Sequence, residues 1–319
     1  MMSSSLITIG TPFYNSAWCF KEYADGLLNL SYPKPKIELV FMDNESTDNT
    51  LQLLNGFKEE HDSEYYSILI DSCPHTYPDM QSVNSLKLGN NIIENIARTR
   101  NWIIQSKHPD TNLVFIDSDS VPPSNGIERL LKMTKKPYYG DVCSGITIEP
   151  TTAYYVEFPT AAKQQIEELI RTNLEYVLRK FLRRVPSFDF SLEFNIRGEP
   201  VPICSLNNIL SLPPQLRNKI LEAKLCGFGF VLIKNQVLQE QSFETDQTLR
   251  GFVGEDYHFC NQARQLGFKV LVDTSLWYDH LHWLYDRDAE TIKLKGVNPK
   301  ARTIIPALSA FSKLSRKHG

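Results

Sequence analysis

The sequence predicts an α/β fold built on a mostly parallel central sheet with helices over both faces. Three observations carry this. Short, almost unbroken apolar runs recur along the chain: LITI (6–9), IELVFM (37–42), YSILI (66–70), LVFI (113–116) and VCSGITI (142–148). Amphipathic stretches of helical length separate them. The runs lack the polar alternation of a strand with one wet face, so both faces must be covered, and the intervening helices are what cover them.

In order, LITI is the first strand; it runs into Gly10-Thr11-Pro12 and is followed by an amphipathic segment through Leu30. IELVFM is the second strand and ends at Asp43-Asn44, ahead of a helix starting near Ser46–Asp48, whose side-chain oxygens suit a helix N-terminus. YSILI is the third strand. Residues 90–106 read as a helix, and LVFI, the fourth strand, leads into Asp117-Ser118-Asp119. VCSGITI is the fifth. A long amphipathic helix is expected over 161–185, with Ile166, Leu169, Ile170, Leu174, Val177, Leu178, Phe181 and Leu182 along one stripe. The Pro-rich EPVPICS and SLPP read as loop. FGFVLI (228–233), a helix around Asp256–Leu266 and the strand KVLVD (269–273) resume the α/β pattern. The expected organisation is an α/β half over 1–150, a helical and loop insertion over 151–225, a second α/β half over 226–285 and a basic tail over 286–319.

Composition sets outer limits. A chain of 319 residues with 42% hydrophobic and 22% charged residues is ordinary globular protein. A formal net charge of −3 gives no global field for nucleic acid. Six cysteines stand without C-x-x-C or zinc spacing, which predicts reduced thiols packed as small hydrophobes. No apolar run reaches the roughly 18 residues of a membrane span and the N-terminus has no signal-like apolar core, so a cytoplasmic protein is expected. The helix over 161–185 and the basic tail keep peripheral membrane contact open.

The chemistry gathers at strand ends. In an open parallel sheet, ligands bind at the carboxyl ends of the strands. Asp117 and Asp119 follow a buried strand one residue apart, where two carboxylates repel each other and burial is costly. A divalent cation relieves both, and hard oxygen ligands suit Mg²⁺ or Mn²⁺, which keep substrate phosphates as further ligands. A solvated turn is the ordinary alternative for such a tripeptide. Arg100 falls in the apolar stripe Ile93, Ala97, Arg100, Ile104, so its guanidinium needs an anion: a carboxylate of the crevice or a ligand phosphate. Glu255 and Asp256 open a helix, where acids also serve as dipole partners. His280 and His282 have the spacing that puts two side chains on one face of a strand, a geometry open to metal ligation.

These residues resemble the family 2-like glycosyltransferases of the GT-A fold. ITIGTPFYN is similar to their first strand and P-x-Y-N turn, and IELVFMDNESTDNTLQLL to a strand ending in D-D-G-S-T-D-x-T before a helix. ARTRNWII resembles their Ala-Arg-Asn helix, LVFIDSDSVPP the D-x-D strand end, and GEDYHFCNQARQLGFKVLVD the late E-D motif with R-x-x-G-[FY]-[KR]. The resemblance covers about residues 5–148 and 225–283. It implies that Thr11, Pro12, Tyr14, Asn15, Asp43 and Asn44 lie at the nucleotide, and that Arg100 faces the donor diphosphate. Asp117, Ser118 and Asp119 match the D-x-D, with Asp119 the direct metal ligand, and His280 matches the late metal histidine, His282 being the second choice. Asp256 matches the catalytic base of inverting members, supported by Glu255. The implied donor is a nucleotide sugar, UDP- and GDP-sugars ahead of others. The implied cofactor is Mn²⁺ or Mg²⁺, and the acceptor is a glycan, a lipid-linked saccharide or a protein. Asn44 and Glu45 replace the second Asp and the Gly of D-D-G-S, so the base contacts are not carried over. FIDSDSV also fits a haloacid-dehalogenase-like phosphatase, in which Asp117 is the nucleophile, and a sugar-binding protein on a degenerate transferase fold is the non-enzymatic alternative.

Overall fold

In a computed structural model, the described residues are 5–73, 85–146, 194–196, 199–201, 218–223, 225–244, 255–281, 284–286 and 291–293. The expected helix over 161–185 lies outside them, as does the basic tail over 286–319 apart from residues 286 and 291–293.

The strands are Ile7–Phe13 (β1), Ile37–Asp43 (β2), Ser67–Ser72 (β3), Asn112–Ile116 (β4), Ser120–Val121 (β5), Val142–Ile146 (β6), Phe194–Ile196 (β7), Glu199–Val201 (β8), Ile220–Glu222 (β9), Phe230–Ile233 (β10), Val270–Trp277 (β11), Asp279–His280 (β12), Leu284–Asp286 (β13) and Thr291–Lys293 (β14). The helices are Phe20–Leu28 (α1), Thr50–His61 (α2), Ser85–Ser106 (α3), Gly126–Met133 (α4), Asn235–Glu240 (α5) and Glu255–Gln265 (α6). One eight-stranded sheet has the order β3-β2-β1-β4-β10-β6-β11-β9. β3, β2, β1 and β4 run parallel, as do β6 and β11; β10 is antiparallel to both of its neighbours, and β9 to β11. β5 pairs with β12, β7 with β8 and β13 with β14 in antiparallel two-stranded units.

The apolar runs of β1, β2, β4 and β6 are buried on both faces, as expected, whereas YSILI forms the edge strand β3 and leaves Tyr66 and Leu69 exposed. Alternate residues of one strand enter different cores: Leu113 and Phe115 pack with Val40, Met42, Ala97, Ile103 and Phe259, whereas Val114 and Ile116 pack with Leu39, Phe41, Tyr23, Leu54 and Ile127. The first core lies under α3, α5 and α6, the second under α1, α2 and α4. Burial of each such side chain contributes about 1.5–3 kcal/mol. The five described cysteines, Cys19, Cys73, Cys143, Cys226 and Cys260, are buried and unbridged, so they pack as small hydrophobes.

Two features aim the sheet at a ligand. The chain moves outward from β1 through β2 to β3, and α3 then carries it back to β4 on the other side of β1. The order reverses between β1 and β4, which opens a crevice at their carboxyl ends. α3 also approaches β1 closely at Gly10, where a Cβ would stand 2.4 Å from Ile103 Cγ2 and 3.1 Å from Leu113 Cδ1. Gly10→Ala is therefore expected to overpack this contact and cost about 1–3 kcal/mol, read as a lower midpoint in chemical denaturation.

Candidate active site

At the end of β4 the chain turns through Asp117-Ser118-Asp119 into β5. The turn is closed by the Ser120 N–H donating to the Asp117 carbonyl at 2.9 Å, and the Asp117 N–H donates to the Gly229 carbonyl at 3.1 Å. β12 pairs with β5 in the register His280 to Ser120. The Leu281 N–H also donates to the Asp119 carbonyl at 2.6 Å. This short ladder carries the histidine to the acids: His280 Nε2 lies 3.1 Å from Asp119 Oδ2. His282 lies outside the described residues.

Arg100, on α3, is 3% exposed. Its Nη2 donates to Asp117 Oδ1 at 2.9 Å and its Nε to Glu255 Oε1 at 3.2 Å. The guanidinium carbon sits 4.8, 5.5 and 5.8 Å from the ring centroids of Phe115, Phe228 and Phe243. A buried cation needs compensation, and these carboxylates and ring faces provide it. Burial pushes Arg100 toward neutrality, but Asp117, Glu255 and Asp256 outweigh it and hold the charge. A crevice carboxylate, one of the two anionic partners that the sequence leaves open, is bonded to it. Nη1 has no hydrogen-bond partner among the described residues.

Asp117 keeps 32% of its side-chain surface accessible, yet its surroundings raise its carboxyl above the usual carboxylate range. Withdrawal from water pushes it up to about 6; Arg100 pulls it down, and Asp119 and Glu255 push it up again. Glu255 and Asp256, 7% and 9% exposed, occupy the first turn of α6, where the helix dipole favours negative charge. The balance of charge at this end of the sheet is negative.

The β1 and β2 ends form the adjoining wall. Thr11 is fully buried and shares a hydrogen bond with the Tyr23 hydroxyl, so its own hydroxyl faces inward. Pro12 follows it in β1, and Tyr14 is 42% exposed on the turn beyond. Asn15 adopts φ 49°, and its Oδ1 accepts the Thr47 N–H at 2.7 Å. The Asn44 N–H donates to the Phe13 carbonyl at 2.8 Å. Asp43, 2% exposed, accepts the Ser46 N–H at 3.1 Å through Oδ2, while its Oδ1 has no hydrogen-bond partner among the described residues. Glu45 stands at φ 51°, in the left-handed region where a glycine costs less. A buried carboxylate oxygen without a donor is costly, so Asp43 is suited to a ligand N–H or O–H.

Several framework residues escaped the sequence reading. Ser16 Oγ lies 2.8 Å from Ser118 Oγ, and the Cys19 thiol donates to the Ser118 carbonyl at 3.3 Å. Together they tie the β1 loop to the acidic turn. Burial pushes the Cys19 thiol up, so it stays a neutral donor. The apolar stripe Phe20, Tyr23, Leu27 signals that Tyr23 faces the sheet, but nothing in the sequence indicates which hydroxyl it meets.

Two ligands at right angles, each about 2.1 Å from a metal, stand about 3.0 Å apart. Asp119 Oδ2 and His280 Nε2, at 3.1 Å, match that edge. Among the described residues no group of three or more His, Cys, Asp or Glu that could hold a metal ion is found. A cation held by this pair would have to draw its further ligands from substrate oxygens and water, as Mg²⁺ and Mn²⁺ do.

A scan against family models finds no match. A 57-residue segment, 18% of this chain, is 37% identical to the poly(ribitol-phosphate) beta-glucosyltransferase of Bacillus spizizenii, of which it covers 9%. Among solved structures, the mannosyltransferase PcManGT from Pyrobaculum calidifontis, in complex with GDP-Man and Mn²⁺, matches over 88% of this chain and 58% of its own, at 14% identity and a TM-score of 0.51. At that identity the likeness speaks for the fold, which is the α/β architecture expected of the GT-A glycosyltransferases. The chain thus spans little more than half of the mannosyltransferase and a small part of the glucosyltransferase.

Proposed function

We propose that the chain is a glycosyltransferase that moves a sugar from a nucleoside-diphosphate sugar to an acceptor hydroxyl, with inversion at the anomeric carbon. The observation that carries this reading is the pairing of Asp119 with His280 beside Asp117, which Arg100 ties to the first turn of α6. Asp119 and His280, with Asp117 alongside, would hold Mn²⁺ or Mg²⁺. Such a cation, when bound, neutralises the diphosphate and makes it a better leaving group. Asp43 Oδ1 accepts a hydrogen bond from the nucleoside, Asn15 and Asn44 fix the turn around it, and Tyr14 offers an exposed ring beside it. Asp256 takes the proton of the acceptor hydroxyl as that oxygen attacks the anomeric carbon from the face opposite the diphosphate. Asp117, the nucleophile that a phosphatase would need, is bonded to Arg100.

The direct test is a binding screen of UDP-, GDP- and dTDP-sugars with and without Mn²⁺. Binding of a UDP- or GDP-sugar at least about tenfold tighter with Mn²⁺ is expected; no binding under either condition would overturn the reading. The mannosyltransferase's GDP-Man and Mn²⁺ make that pair the first arm. Acceptor arms are a glycan, a lipid-linked saccharide, a protein and, from the name of the curated relative, a poly(ribitol phosphate).

Asp117 also predicts a pH dependence. Its carboxyl is raised from 3.8 to about 6 in the cation-free fold, so the fold disfavours its ionised form, and metal-free stability declines as pH rises from about 4 through 6. A cation requires the ionised form. Mn²⁺ affinity is expected to level off above about pH 6 and to weaken about tenfold per unit below it, as read by Mn²⁺ titration at about pH 5 and pH 7. Equal affinity at both would remove Asp117 from the metal site.

A further inference from the structure

We infer that the Arg100–Asn101 step of α3 is a positioning device that registers the base-bearing helix α6 against the acidic end of β4; the catalytic part of this inference rests on the function proposed above. Arg100 reaches α6 directly through Glu255. Asn101 reaches it by a different route. Its Nδ2 donates to the Phe243 carbonyl at 2.8 Å, and its Oδ1 accepts the Phe243 N–H at 2.8 Å. One side-chain amide therefore satisfies both backbone groups of Phe243, as a neighbouring strand would, in a segment that pairs with no strand among the described residues. Asn is suited to this because it presents a donor and an acceptor side by side.

Phe243 is the plate on which the rest is seated. Its ring stacks on Phe259 of α6 at 4.4 Å and 21°, and meets Phe115 and Phe228 edge-on, both at 5.6 Å. The Arg100 guanidinium also faces it. Phe115 lies two residues before Asp117, and Phe259 lies one turn after Glu255 and Asp256. The Gln241 Nε2 donates to the Phe259 carbonyl at 3.2 Å, a further tie between this segment and α6. Consecutive residues of α3 thus hold the same helix by two means: Arg100 by charge at its first turn, and Asn101 by fixing the ring against its second. Glu255, engaged by Arg100, belongs to this device.

The test uses the full chain carrying Asn101→Ala or Asn101→Asp. The aspartate keeps the acceptor for the Phe243 N–H but sets an oxygen against the Phe243 carbonyl. Both variants are expected to lower kcat about 10²-fold, the scale of an ångström-sized misplacement of a catalytic group, while Mn²⁺ and nucleotide-sugar affinities stay within about twofold of wild type. Arg100→Lys, which loses the planar fork that serves two acids at once, is expected to act in the same direction. A lowered Tm with unchanged kcat in both Asn101 variants would overturn the inference, leaving Asn101 a stabilising residue only. Amide hydrogen exchange over residues 255–260 separates this outcome from failure of the proposed function. If wild type transfers no sugar, about tenfold faster exchange there in Asn101→Ala still upholds the clamp, and unchanged exchange sinks it.

Discussion

Asp256→Asn is expected to lower sugar transfer about 10²–10⁴-fold while leaving nucleotide-sugar affinity close to wild type. The substitution keeps the size, replaces one acceptor oxygen by an NH₂ donor and removes the proton-accepting charge. Asp256 is 9% exposed on the first turn of a helix whose preceding residue, Glu255, is bonded to Arg100. The Arg100 hydrogen bonds to Glu255 and Asp117 remain in this variant, and its Tm, measured alongside, checks that the fold stays in place. Transfer at the wild-type rate by the Asn variant would remove Asp256 as the base. Measuring the anomeric configuration of the product in the same assay checks the inverting geometry.

Asp119→Ala carries the second large effect. It deletes the oxygen that pairs with His280 Nε2 while leaving the Asp119 carbonyl, which accepts from Leu281, in the backbone. The β5–β12 ladder should therefore survive. Donor binding in the presence of Mn²⁺ is expected to fall to the level seen without it, a loss of about tenfold or more, and transfer to fall with it. His280→Ala should act in the same direction by a smaller factor, because metals of this class readily replace a missing ligand with water. Metal-dependent binding that survives in Asp119→Ala would place the cation elsewhere.

Much of this was legible in the chain because burial writes itself into residue order. The unbroken apolar runs of β1, β2, β4 and β6 require cover on both faces, and the two cores lie where they imply. Arg100 in an apolar stripe announced a buried cation with an anionic partner, but periodicity cannot name that partner. Asp117 is 17 residues away and Glu255 is 155, and only the return of α3 across β1 brings both to it. The direction of β10 was hidden for a similar reason, since FVLI reads the same in either sense and the antiparallel setting comes from its connections. Helix ends were the least legible: α3 begins at Ser85 rather than near residue 90, in a stretch whose polar residues carry little periodic signal. The Asn101 bond to Phe243, across 142 residues, has no local signature at all.

The two-residue ladder between β5 and β12 has a consequence for how the protein comes into being. The histidine that faces Asp119 lies 161 residues further along the chain. During synthesis, the first four parallel strands and the acidic turn leave the ribosome long before that histidine exists. A nascent chain can assemble half of the sheet without being able to grip a metal ion through this pair. The site matures only when the late strand zips onto Ser120 and Val121, so competence for chemistry waits until that strand has been made.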